Sequence, residues 1–282
     1  MKHLKVMEIA TRDVFSLPQT STIMNALKSM LNRNFRRVPI TDAGTRRLQG
    51  IISATDLINF FGGGEKHKLV EERHNGNLTS AVNDEIREIM ERDVVVVNED
   101  DSIEDAVELM FEKRVGGCPI VNRDGILVGI VTERDLVEYL SRSREVDGYV
   151  SDYMTRGVVT VNPNESIRDV MKKMIKKKLR RLPIINEGIL LGMVTVRELL
   201  KYFGRDAFKK LITGDIKEVI DTPVSTLIEF FREPLTVSPD VMISQVVSAM
   251  IERGYGSALI VEDDRLVGII TERDIVKFLY SV

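Results

Sequence analysis

Apolar positions recur four times along this chain, each time in the same succession of periods. A helical stripe comes first: Ile23, Ala26, Leu27 and Met30, then Ile103, Ala106, Val107 and Met110. The third set is Ile167, Val170, Met171 and Met174, and the fourth Ile243, Val246, Val247 and Met250. Spacing of i, i+3, i+4, i+7 places each set on one face of a helix, so each predicts an amphipathic helix with one buried stripe. Thr22, Ser102 and Ser166 precede three of these stripes as N-caps, where a side-chain oxygen satisfies an amide lacking an intrahelical partner. The methionines read as core filler. A short apolar segment follows each helix: "RVPIT", "GCPIV", "RLPII" and "ALIVE". A polar turn and a second apolar segment come next, the latter running through a glycine (Gly50, Gly129, Gly192, Gly268) into a serine or threonine three residues on. Apolar stretches such as "DVVVVNEDD", "GVVTVNPNE" and "PLTVSPD" lie ahead of the first helix. Each repeat therefore reads β-α-β-β-α, and the chain falls in the α/β class, more narrowly α+β.

A repeat of roughly 60 residues buries too little surface to stand alone, so the repeats are expected to pair. The marker glycines are separated by 79, 63 and 76 residues, which makes the chain a duplication of a duplication. Repeats are expected at 1–62, 86–142, 149–203 and 225–282. Helical insertions at 63–85 and 204–224 separate the members of each pair, and the boundary between pairs falls near 142–150.

The last helix of each repeat opens on a hydroxyl residue with an acid three positions on: Ser53 and Asp56, Thr132 and Asp135, Thr195 and Glu198, Thr271 and Asp274. This is a capping box, which stabilises a helix start by about 0.5–2 kcal/mol. The same geometry serves an anion, because free amides and the positive dipole end gather at a helix N-terminus. A short carboxylate one turn in can also accept both hydroxyls of a ribose. Asp56, Asp135 and Asp274 have that reach, whereas Glu198 is one methylene longer. A second asymmetry lies ahead of the middle strands. Repeats one and three carry Arg36–Arg37 and Arg180–Arg181; repeats two and four carry Gly116–Gly117 and Gly256. Adjacent arginines suit phosphate oxygens, and glycine permits close approach. The alternative is that these arginines are solvated strand ends.

Laid out this way, the chain resembles a tandem of four CBS domains, that is, two Bateman modules. The resemblance rests on Val38-Pro39-Ile40, Cys118-Pro119-Ile120 and Leu182-Pro183-Ile184, on the run from Gly129 to Asp135, and on the helix starts at Ser102 and Ser166. It covers nearly the whole chain and is strongest toward archaeal stand-alone four-CBS proteins related to the γ subunit of AMP-activated protein kinase; Phe61 to Gly64 matches those relatives too. The resemblance implies a flat disc of two head-to-tail modules with AMP, ADP or ATP in clefts near its centre. S-adenosylmethionine and NAD, which also present adenosine, are alternative ligands, and a scaffold with vestigial sites is the alternative role. Family positions then imply ribose and helix-start contacts at Ser53, Asp56, Thr132, Arg134, Asp135, Thr271, Arg273 and Asp274, with Thr195 and Glu198 departing from the pattern. Arg36, Arg37, Arg180 and Arg181 are implied for phosphate. Ser16, Thr160, Thr236, Val38, Pro39, Gly116, Gly117, Cys118, Pro119, Leu182, Pro183 and Gly256 are implied for the base or ribose pocket. Leu259 replaces the proline in repeat four.

Composition narrows the function. Of 282 residues, 43% are hydrophobic and 29% charged, as in a globular protein with ample core. The net charge of -3 argues against a dedicated nucleic-acid binder. The run Lys172 to Arg181 places Lys172, Lys173, Lys176 and Lys177 opposite Met171 and Met174, the pattern of a solvated face. No apolar stretch reaches the ~20 residues of a membrane span, and the N-terminus does not read as a secretory signal. A single cysteine, Cys118, fits a reducing cytoplasm. His3, His67 and His74 form no metal-ligand pattern with it, and nucleotide-hydrolase, Ser-hydrolase and kinase signatures are missing. The expectation is a non-catalytic regulatory protein with a protein partner, and stacking of discs into a homo-oligomer is consistent with the family.

Overall fold

The computed structural model describes residues 4–143 and 148–281. His3 and the middle of the expected inter-module connector lie outside the described residues. The first repeat holds α1 (Ile23–Arg33), β1 (Arg37–Thr41), β2 (Leu48–Ser53) and α2 (Ala54–Ile58), and α3 (Leu78–Ala81) follows it. The second holds β3 (Val97–Asn98), α4 (Ile103–Glu112), β4 (Gly117–Val121), β5 (Leu127–Thr132) and α5 (Glu133–Ser143). The one-turn helix α6 (Val150–Tyr153) leads into α7 (Ile167–Lys177), β6 (Arg181–Asn186), β7 (Ile189–Thr195) and α8 (Val196–Arg205). After α9 (Ala207–Lys210) and α10 (Lys217–Ile220) come β8 (Thr236–Val237), α11 (Ile243–Glu252), β9 (Ser257–Glu262), β10 (Arg265–Thr271) and α12 (Glu272–Ser281). The hydroxyls of Thr22, Ser102 and Ser166 accept the amides of Asn25, Asp105 and Asp169 at 3.1, 3.1 and 3.0 Å, so the three caps form.

Every repeat leaves its first helix through a left-handed residue: Asn34, Arg114, Lys178 or Gly254. That turn redirects the chain two residues before the strand begins. The strand pairs are antiparallel in one shared register, with Arg37 opposite Ser53, Gly117 opposite Thr132, Arg181 opposite Thr195 and Ser257 opposite Thr271. The first residue of each middle strand therefore lies opposite the N-cap of the following helix, and the carbonyl of the residue before it accepts the amide of Ala54, Glu133, Val196 or Glu272. The first strand of the repeat is short. It pairs in parallel through β3 and β8 in repeats two and four, and shrinks to the bridges Leu17–Ile40 and Val161–Ile184 in repeats one and three.

Two large cores form, and they do not follow chain order. Leu27, Leu57, Met171, Leu199 and Phe203 share one core, so repeat one packs on repeat three. Val107, Leu136, Val247 and Val276 share the other, which joins repeats two and four. The modules thus lie abreast with like repeats facing, rather than head to tail. The head-to-tail arrangement implied by the resemblance is therefore not the one formed; the four stripes are equivalent in the sequence and do not choose between partners. Leading segments also cross over. Val6 enters the second core and Ile86 the first, while Val150 enters the second and Val219 the first. The two insertions meet each other: the Leu78 amide donates to the Gly214 carbonyl and the Ile216 amide to that of Gly76 (2.9 and 3.0 Å). Beneath them Phe61 stacks on Phe203, with centroids 4.0 Å apart and rings 5° from parallel.

Candidate functional site

A cavity of about 1370 Å³ opens where the four repeats meet. Fourteen basic and six acidic side chains line it, so its field is positive in a chain whose net charge is -3. The left-handed helix exits bring Arg36, Arg37, Arg180 and Arg181 to this space from repeats one and three. Gly116, Gly117 and Gly256 come from two and four. A Cβ on Gly116 would lie 2.5 Å from Arg37 Nη2 and 2.8 Å from Glu133 Oε2. On Gly256 it would lie 3.0 Å from Arg36 Nη2 and 3.1 Å from Arg181 Nη2. The glycines are the room into which the opposing arginines reach.

Under the arginines sit two buried carboxylates, Glu133 and Glu272, only 3% and 1% exposed. Arg180 Nη2 donates to Glu133 Oε2 at 2.5 Å, and Arg36 Nη1 to Glu272 Oε2 at 2.8 Å. Burial pushes the Glu272 carboxyl up, but Arg36, Arg181 and Arg180 outweigh it and hold its pKa below 4.5. Burial likewise opposes charge on Arg180, and Glu133 more than offsets it. Arg37 and Arg181 are different. Among the described residues neither has a hydrogen-bond or ion-pair partner, and burial together with nearby Arg180 pulls both down to about 10. They remain cationic at neutral pH, as two under-compensated charges facing the cavity, and Arg180 Nη1 is buried without a partner. Sequence reasoning missed Glu133 and Glu272. Their signal was present: the residue after the N-cap is Glu where the arginines are replaced by glycine, and Ala54 or Val196 where the arginines stand.

The helix-start acids cap as expected, and each Asp does so with one oxygen. Ser53 donates its amide and hydroxyl to Asp56 Oδ2 at 2.8 and 2.6 Å. Thr132 does the same to Asp135 Oδ2 at 2.7 and 2.6 Å, and Thr271 to Asp274 Oδ2 at 2.8 and 2.7 Å. An ionised carboxylate accepts about four hydrogen bonds, so two places remain, the number a cis-diol needs. The cap thus leaves the second oxygen of each carboxylate outside it. Glu198 is built otherwise. It is buried, takes the Thr195 hydroxyl on Oε2, and has Lys201 Nζ 3.8 Å from Oε1, while Thr195 caps Arg197 instead.

Asp56, Glu198 and Asp274 line the central cavity; Asp135 does not. Asp135 borders a separate space of about 280 Å³ beside Leu4, Glu8 and Ile9, and burial, against the Thr132 hydrogen bonds, raises its pKa. Arg273 lines the central cavity with its Nε 3.7 Å from Glu133 Oε1. Arg134 is spent on the end of α11, donating to the carbonyls of Met250, Ile251 and Tyr255 at 3.3, 3.0 and 3.0 Å. Pro119 reaches the cavity wall, whereas Val38, Cys118 and Leu182 are buried in the strands and belong to the cores. Pro39 and Pro183 are buried beside them, Ser16 bonds Thr41 at 2.9 Å, Thr160 is half-buried, and Thr236 is exposed. Of the basic run, Lys177 and Lys178 border the cavity together with Arg180 and Arg181, and Lys173 bonds Glu165 at 2.7 Å. Among the described residues no group of His, Cys, Asp or Glu could hold a metal, and no helix is long and apolar enough to cross a membrane.

Four interleaved repeats around one basic cavity match the CBS domain model at residues 6–63, 86–142, 150–205 and 220–281, and the chain belongs to that family. It is 34% identical over 278 residues to the uncharacterized protein MJ1225 of Methanocaldococcus jannaschii, covering 98% of this chain and 99% of that one. The crystal structure of MJ1225, described as a candidate archaeal homolog of γ-AMPK, superposes with a TM-score of 0.92. A 33.4 kDa protein of Thermofilum pendens is 33% identical over 94% of this chain and 88% of its own length. A conserved protein of Pyrococcus horikoshii shares the fold, with a TM-score of 0.61 at 20% identity.

Proposed function

We propose that this chain is a non-catalytic sensor that binds AMP, ADP or ATP in its central cavity and converts binding into a change of shape or of docking to a protein partner. The observation that carries this reading is the pair Arg37 and Arg181. Among the described residues their side chains are two cations without partners, and they line a cavity that also holds Asp56 and Asp274, each of which caps its helix through Oδ2 and turns Oδ1 to a side chain that a ligand can displace. Phosphate oxygens satisfy planar guanidinium groups well, and a ribose diol satisfies the remaining carboxylate lone pairs. Such a basic cavity favours phosphate-bearing adenosines over the sulfonium of S-adenosylmethionine. A ligand shifts shape only by its differential affinity for two states, and the Glu133 and Glu272 ion pairs offer the contacts that added phosphate charge would compete for. Calorimetric titration with AMP, ADP, ATP, NAD and S-adenosylmethionine tests the reading. Nucleotides are expected to bind, S-adenosylmethionine at least about tenfold more weakly, and Asp274→Ala to weaken nucleotide binding with the fold intact. Failure of all five ligands to bind sinks the sensor and leaves a scaffold. A lower melting temperature in Asp274→Ala with unchanged binding leaves only the cap.

A further inference from the structure

The outer oxygens of the acids in the central cavity do not meet the same partner. At Asp274, Oδ1 accepts the Thr155 hydroxyl at 3.1 Å. At Asp56, Oδ1 is held by the ammonium of Lys66, which also donates to the Ile89 carbonyl at 2.5 Å. The Lys66 and Asp56 side chains are 23% and 19% exposed, so the ion pair is largely out of solvent. The chain between them is shaped to deliver the lysine. Gly62 lies at φ +140°, which L side chains rarely adopt, and a Cβ on Gly63 would lie 2.8 Å from Ile175 Cγ1. A Cβ on Gly64 would lie 2.9 Å from Asn59 Oδ1, the atom that accepts the Lys66 amide at 2.9 Å. Three glycines thus fold the chain back over α2, and Asn59 and Asp56 then hold Lys66 at its backbone and at its tip.

Building on the reading of these acids as ribose holders, we infer that Lys66 is an internal occupant of the Asp56 site and makes that site the last in the cavity to fill. A diol arriving at Asp274 displaces one hydrogen bond from an uncharged hydroxyl. At Asp56 it must displace a charge-assisted pair that solvent screens weakly. Displacement also removes the donor from the Ile89 carbonyl. Filling of this site therefore removes one of the ties between the first insertion and the segment that leads into repeat two, another being Arg73 to Glu88 at 3.2 Å, which gives it a structural readout that the Asp274 site lacks.

ATP is the probe, titrated calorimetrically into the full chain. In the wild type, Asp274→Asn is expected to remove the tightest binding and Asp56→Asn to leave it in place. Lys66→Met is expected to add a binding event, or to tighten the weaker one by about tenfold or more, the worth of one charge-assisted hydrogen bond. Adding Asp56→Asn to Lys66→Met should abolish that gain. Unchanged or weaker binding in a folded Lys66→Met overturns the inference while ATP binding to the wild type keeps the sensor reading. No ATP binding to either protein overturns both. A measurement independent of that variant is reductive methylation of the wild-type chain, read by mass spectrometry. Lys66 should react more slowly than exposed Lys68 and speed up in Asp56→Asn, and equal rates in the wild type overturn the inference.

Discussion

The half made by repeats one and three and the half made by two and four share a β-α-β-β-α plan, yet they carry opposite charge to the middle. The first supplies Arg36, Arg37, Arg180 and Arg181; the second supplies Glu133 and Glu272 and, in its glycines, the space the arginines enter. The first also carries both insertions and the Phe61–Phe203 stack, so the half that exposes unpaired cations is the one with the larger apolar support. Divergence of equivalent repeats has thus produced a donor of charge and a receiver of it. Two carboxylates facing four arginines leave positive charge for a ligand.

The largest way to break this contrast is Phe61→Ala. It opens a cavity in the fully buried stack and is expected to cost about 3–5 kcal/mol, read from urea unfolding; among the described residues the other half has an edge-to-face pair, Tyr153 and Phe278, but no parallel stack. Next comes Glu272→Ala, which strips Arg36 and Arg134 of the carboxylate they share and should cost about 3 kcal/mol. The same carboxyl has its pKa held below 4.5, so the unfolded chain binds its proton first. Its contribution is present above pH 4.5 and is lost as pH falls through the lower folded value, and Glu272→Gln should flatten that part of the acid limb. The smallest effect on stability, and the opposite in sign, belongs to Arg37→Met and Arg181→Met. Removing a cation that has no partner should raise stability by about 1 kcal/mol while nucleotide affinity falls about tenfold. If either variant instead destabilises as Glu272→Ala does, the two halves are not divided into paired and unpaired charge.

Much of this architecture was legible because the repeats are periodic. The helical stripes, the caps at Thr22, Ser102 and Ser166, and the alternation of arginine with glycine are local features, and local physics fixes them. What stayed hidden depends on long separations. Repeat one packs on repeat three rather than on repeat four, but Ile23–Met30 would pack equally well against either equivalent stripe. Lys66 sits in a segment rich in charge and glycine that reads as a connector; only the fold-back at Gly62 brings its ammonium to Asp56. Glu133 lies two residues before the capping Asp135, and only the fold, by bringing Arg180 across to it, distinguishes it from a solvated helix-start acid.

The abreast packing also governs how the chain leaves the ribosome. The apolar stripes of α1 and α2 are complete once about sixty residues have been made, but α7 and α8, which cover them, end at Lys177 and Arg205. Val6 waits for the helices of repeat two, and the second core waits for α12 at the end of the chain. A growing chain therefore holds bare apolar faces through most of its synthesis, the condition under which chains associate wrongly. Truncation after the first module would leave those faces uncovered for good, so a closed body needs the chain through α12.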